Sequence, residues 1–160
     1  MLKACPWFYG PLMVGFSLFG FGCSGGMLNA PDGTWSCTAQ WTGEESGVPV
    51  SITSVVENTC VNGDLTSIGV LSIGDAQWSE EKKGTCKGTE DELYGTWSSL
   101  ETVTKNQAAK AFEEERFGGQ SLGKVAWDGP SPYRVKVLSR TDTRLKLQDP
   151  DNRLIACTKL

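Results

Sequence analysis

The sequence predicts a mostly β protein, an antiparallel up-and-down β-barrel or sandwich of about eight to nine short strands with one short helix. Three observations carry this expectation. Apolar and polar residues alternate along several segments, as strands buried on one side require. Turn-forming residues separate those segments at regular spacing. One stretch alone, residues 105–117, reads as a helix.

The chain opens on a distinct leader. Residues 4–22 hold no charged side chain, follow a single Lys3 and centre on Met13-Val14-Gly15-Phe16-Ser17-Leu18-Phe19. A buried helix fits this stretch poorly, because Pro6, Pro11 and six glycines between residues 10 and 26 would interrupt it. A transmembrane anchor has the length, yet the same prolines and glycines fit a processed signal better. The expected division is therefore a signal over residues 1–22, a tether over 23–32 and a β domain over 33–160.

Gly22-Cys23 resembles the bacterial lipobox, with Gly20 standing where that family usually carries leucine. The resemblance implies cleavage before Cys23 and acylation of its thiol and new N-terminus. At about 0.8 kcal/mol per buried methylene, several acyl chains anchor a protein for good. Ser24 then implies sorting to the outer membrane of a Gram-negative bacterium. The membrane partner would be reached through this N-terminal lipid anchor.

Residues 24–32 lack periodicity and read as a spacer. Trp35, Cys37, Ala39 and Trp41 alternate with Ser36, Thr38, Gln40 and Thr42, the clearest strand in the chain. Residues 50–57 give a second strand, and Asn62-Gly63 supplies the positive-φ turn that reverses the chain into 65–73. There the apolar positions slip from Ile68 and Val70 to Leu71 and Ile73, which predicts a bulge beside Gly69 or Gly74. Strands at 76–79, 84–88 and 93–99 follow. The helix is expected to open at Thr104, with Gln107 three places on, and to close at Gly118-Gly119. Its apolar stripe, Ala108, Ala109 and Phe112, is thin, so it should cover an edge or mouth of the sheet. Short strands at 123–127, 133–139, 144–148 and 153–158 complete the series, divided by turns rich in Pro, Asp and Asn.

Gly33-Thr34-Trp35 resembles the G-x-W motif of lipocalins, whose tryptophan closes the floor of an eight-stranded barrel. The resemblance implies an arginine near the last strands packing over Trp35, and Arg144 and Arg153 are the candidates by position. A second copy, Gly95-Thr96-Trp97, lies mid-chain, and the helix interrupts the strands where lipocalins place it after the eighth.

Four cysteines fall in the domain, Cys37, Cys60, Cys86 and Cys157, and in an exported domain they read as two disulfides. Spacing leaves three connectivities open. An up-and-down barrel sets its first and last strands side by side, which favours Cys37 with Cys157 and Cys60 with Cys86. The shorter loop is worth about 3 kcal/mol and the longer about 5. Zinc is disfavoured, since the sequence has no C-x-x-C pair and no histidine.

With Lys3 removed, 19 acidic residues face 14 basic ones, a net charge of −5. That balance argues against nucleic acid and against electrostatic adsorption to anionic lipid. The lack of histidine removes Ser-His-Asp and Cys-His arrangements and the imidazole base. A carboxylate pair about 5 to 10 Å apart would still serve glycoside hydrolysis, but Glu90-Asp91-Glu92 and Glu113-Glu114-Glu115 read as solvated runs. Asp149, Asp151 and Asn152 lack the glycine of a calcium loop, because Leu154 stands at its place. Five of the six tryptophans fall in the domain, Trp35, Trp41, Trp78, Trp97 and Trp127, and serve a core or line a pocket. Trp35, Trp41 and Trp78 are the expected ligand-binding residues. Together these features predict a non-enzymatic, outer-membrane-anchored lipoprotein without a cofactor, binding a small apolar ligand or an envelope component. The alternative is a filled barrel acting on a protein partner through loops 42–49 and 128–132.

Overall fold

The computed structural model describes residues 32–45 and 48–160. The expected signal, Cys23 and the tether up to residue 31 lie outside the described residues. The strands are β1 (Gly33–Glu45), β2 (Val48–Val61), β3 (Asp64–Ile73), β4 (Ala76–Thr85), β5 (Lys87–Gly88) and β6 (Glu92–Thr104). Two helices, α1 (Gln107–Phe117) and α2 (Leu122–Ala126), precede β7 (Ser131–Arg140), β8 (Arg144–Gln148) and β9 (Leu154–Lys159).

Hydrogen-bonded neighbours run β4-β3-β2-β1-β9-β8-β7-β6, and β6 pairs back with β4. Eight strands therefore close a ring in the up-and-down order, each antiparallel to both neighbours, while β5 extends the β4 side along β6. Closure pairs the edges that an open sheet would expose. The alternation read in β1 is real: Trp35 and Cys37 are buried while Thr38 and Gln40 face water. Asn62 and Gly63 both have positive φ, 53° and 87°, and make the two-residue β2–β3 hairpin.

Both expected disulfides form. Cys37 and Cys157 face each other across β1 and β9, the join between the first and last strands. Cys60 in β2 reaches Cys86, just beyond β4, and so spans β3.

Four local expectations need correction. Several strands are longer than read, with β1 and β6 at 13 residues and β2 at 14. The β2–β3 register runs unbroken from Ile52↔Ile73 to Val61↔Asp64, so β3 carries no bulge. Its pattern slips because Ile68 is left exposed on the outer face, 54 % accessible. The register shifts elsewhere, at Lys83/Gly84 beside β6 and at Val137/Ser139 beside β8. Residues 122–126 are helical instead of extended. The amide N–H of Leu122 donates to Glu113 Oε1 (2.8 Å) and that of Gly123 to Thr102 Oγ1 (2.8 Å), which satisfies two first-turn donors from outside the segment. Gly123 is required there, because a Cβ would stand 2.6 Å from that hydroxyl.

The helix N-cap is Asn106, not Thr104: its Oδ1 accepts from Ala109 N at 2.9 Å. The same amide donates to Asp75 O, tying the helix start to the β3–β4 turn. Thr104 remains in β6, opposite Trp78. Because β7 starts opposite Trp97, the last turn-ward part of β6 is paired with β4 alone among the described residues. The two helices fill that space. Ala76, Trp78 and Ala109 form a small core there with Ile73, Phe112 and Leu122.

Candidate functional site

Inward-facing residues from β1, β2, β3, β6, β7, β8 and β9 line a partly open cavity of about 170 Å³ near the end of the ring where β1 begins. Trp35, Trp97 and Tyr133 supply aromatic walls, and Leu93, Leu145 and Leu147 belong to the aliphatic side. Both disulfides border it. The cavity thus lies where the two buried clusters around Trp35 and around Leu65 meet.

The aromatic wall depends on a missing side chain. Gly95 faces Tyr133 across β6 and β7, and a Cβ at Gly95 would come within 2.9 Å of the tyrosine ring. Without it, the ring lies across the glycine and stacks on Trp97, centroids 4.8 Å apart and planes 29° from parallel. Its hydroxyl donates to Thr85 O at 2.8 Å. Burial pushes the phenol pKa up to about 12, so it stays protonated as that donor.

Trp35 sits between two spaces. It lines the cavity and also an outer groove of about 370 Å³ with Asp32, Arg140, Thr141, Asp142 and Lys159. Lys159 of β9 places its Nζ 5.7 Å from the centroid of the Trp35 ring. Of the two arginine candidates, Arg153 lies over Trp41 at 4.9 Å and Arg144 is exposed in β8.

Of the three expected ligand residues, then, Trp35 alone lines the cavity. Trp41 is half-buried under Arg153, which Asp149 and Asp151 hold in place. Trp78 is fully enclosed: it meets Phe112 edge-on at 5.5 Å and donates Nε1–H to Glu113 Oε1 at 3.0 Å. Trp97 was the residue missed, and the signal for it was the repeated Gly-Thr-Trp. Each copy delivers one tryptophan to the same cavity.

The acidic runs divide. Glu114 and Glu115 are exposed as expected, but Glu113 is only 7 % accessible. Its carboxylate accepts from Trp78, from Thr104 Oγ1 at 2.7 Å and from Leu122 N, so it joins β4, β6 and α2 to α1. The sequence alone could not show this, since the three donors lie 9 to 35 residues away. Asp149 Oδ1 accepts from the N–H groups of Asp151 and Arg153, which makes the 149–153 segment a self-satisfied turn. Among the described residues no group of three or more His, Cys, Asp or Glu side chains could hold a metal ion, and no helix is long and apolar enough to cross a membrane.

No protein-family model matches this chain, and no curated protein matches it either. What the ring can do follows from its chemistry. An apolar room with aromatic walls and few polar groups binds by excluding water.

Proposed function

We propose that this protein is a lipid-anchored envelope lipoprotein whose ring binds a small apolar ligand. The observation that carries the ligand half is the interior cavity of about 170 Å³ between Trp35, Trp97 and the aliphatic wall. It is below the usual range for drug-sized ligands, roughly 300 to 1,000 Å³, and close to an engineered cavity of roughly 150 Å³ that admits benzene. A guest of one ring therefore suits it. The anchoring half rests on Cys23 after an uncharged leader, and on two disulfides of the kind exported domains carry. The lipocalin resemblance of Gly33-Thr34-Trp35 is in keeping with this reading, with Lys159 in place of the arginine over the tryptophan.

One observation favours the alternative, a protein-interaction role. On the outer face, Val55 of β2 and Ile68 of β3 stand 45 and 54 % accessible on neighbouring strands, and exposed apolar side chains near one another mark contact surfaces. An envelope protein would meet the ring there.

Intact mass of the protein purified from its native membrane tests the anchor. The expected spectrum begins at Cys23, carries acyl chains and rises by four hydrogens on reduction. A product that begins at Met1 without lipid overturns the anchor.

A further inference from the structure

The cavity has one polar wall. Asn58 of β2 lines it, opposite Trp35 on β1 and Ser67 on β3, and Ser67 faces Lys82 of β4 in turn. These four residues cross four neighbouring strands at one level, where directly opposed side chains lie about 5 Å apart. Ser67 is buried. Of the polar residues in this row Asn58 alone lines the cavity; Lys82 pairs with Glu80 at 3.0 Å outside the lining, and no lining residue carries a charge.

Asn58 is the polar member that reaches the cavity. Its amide makes no side-chain hydrogen bond among the described residues, and no fully enclosed polar atom among them lacks a partner. The amide therefore borders the open space of the cavity. Of the other polar groups on lining residues, the Tyr133 hydroxyl has already given its proton to Thr85 O, and the indole N–H groups of Trp35 and Trp97 can donate but not accept. An amide facing an apolar room is satisfied by whatever enters with a donor or acceptor.

We propose that the cavity takes a small, neutral, planar ring bearing one hydrogen-bonding group, a ligand of the phenol class, with that group on Asn58. The ring lies against Trp35 and Trp97, whose flat faces favour a planar guest. The volume, about 170 Å³, fits one substituted ring and excludes a long acyl chain. A carboxylate is disfavoured, because it would leave water without an unpaired cation to meet it. This inference rests on the ligand-binding reading and specifies its ligand.

Phenol and toluene are nearly the same size, and calorimetric titration of the full chain with each separates the two ideas. In a wholly apolar cavity the unpaired hydroxyl is penalised and toluene binds more tightly. Here phenol is expected to bind at least as tightly as toluene. Asn58→Leu is expected to weaken phenol about tenfold and to leave toluene within about twofold. Toluene binding tenfold or more above phenol in the unaltered protein overturns the polar wall, and needs no variant to fold. Equal weakening of both by Asn58→Leu also overturns it, while the apolar-ligand reading stands. Binding of neither compound overturns both.

Discussion

Replacing Cys37 and Cys157 together by alanine is expected to cost about 5 kcal/mol of stability, against about 3 to 4 for the same change at Cys60 and Cys86. The first bridge closes a sequence separation of 120 residues and the second one of 26. Both pairs border the same cavity, so the packing loss is similar and the difference reports the loop. The first pair also sits on the β1–β9 join, where five residue pairs in register, Trp35↔Lys159 to Ala39↔Ile155, bring the ends of the ring together. Since a domain of this size has a total stability on the order of 5 to 15 kcal/mol, that loss is a large share. Urea titrations of the two double variants, side by side, decide it. A larger loss for the Cys60/Cys86 pair would contradict the role of the first bridge as the staple of the ring.

Glu113→Leu is expected to destabilise by about 3 to 5 kcal/mol. The variant strips the acceptor from three donors at once: the Trp78 indole, the Thr104 hydroxyl and the Leu122 amide. Each buried donor left unmatched costs about 1 to 3 kcal/mol, and the two nearer the surface recover part of it from water. Glu113→Gln keeps one oxygen acceptor and should lose about half as much. Acid has the same target. Burial by itself raises the Glu113 carboxyl pKa, but the hydrogen bonds from Leu122, Thr104 and Trp78 outweigh it and hold the group below the ordinary carboxylate value. A depressed folded pKa means that the ionised carboxylate stabilises the fold at pH above the unfolded value, about 4.3, and that this contribution disappears as pH falls through the folded one. Fluorescence of Trp78, isolated by replacing the other tryptophans with phenylalanine in a background shown to fold, is expected to shift only once the pH has fallen below the ordinary carboxylate range. The shift should be absent in Glu113→Gln. A Glu113→Leu protein as stable as the parent would show that α1 is held by Phe112 and Ala109 alone.

Much of the ring was legible because its signals are local. Trp35, Cys37, Ala39 and Trp41 repeat every second residue, and that period survives folding since one face of β1 meets the interior. Asn62-Gly63 needs only its own two φ angles to make a hairpin. The disulfide pairing followed from the order of the strands, because first and last are neighbours in any up-and-down ring.

What escaped depends on partners remote in sequence. Residues 122–126 carry no side-chain N-cap of their own, and they turn helical because Glu113 and Thr102 accept their first N–H groups. Glu113 looks like its exposed neighbours Glu114 and Glu115 until α1 is laid on β4. Trp78 and Trp41 resemble cavity residues by type, but α1 seals one and Arg153 covers the other. Trp97 was in view as the second Gly-Thr-Trp, yet only the ring brings it to within one cavity of Trp35. The bulge at Gly84 serves close approach to β6, where a side chain would strike the Thr96–Trp97 backbone, and nothing in the local pattern marks it.

The room inside the ring is tested most directly by a crystal structure of the protein under xenon pressure, because apolar cavities of this size take up xenon without needing a chemical match. The expected result is a xenon atom between Trp35, Trp97 and Leu147. An interior packed with side chains and free of xenon would contradict ligand binding there and leave the outer face around Val55 and Ile68 as the working surface.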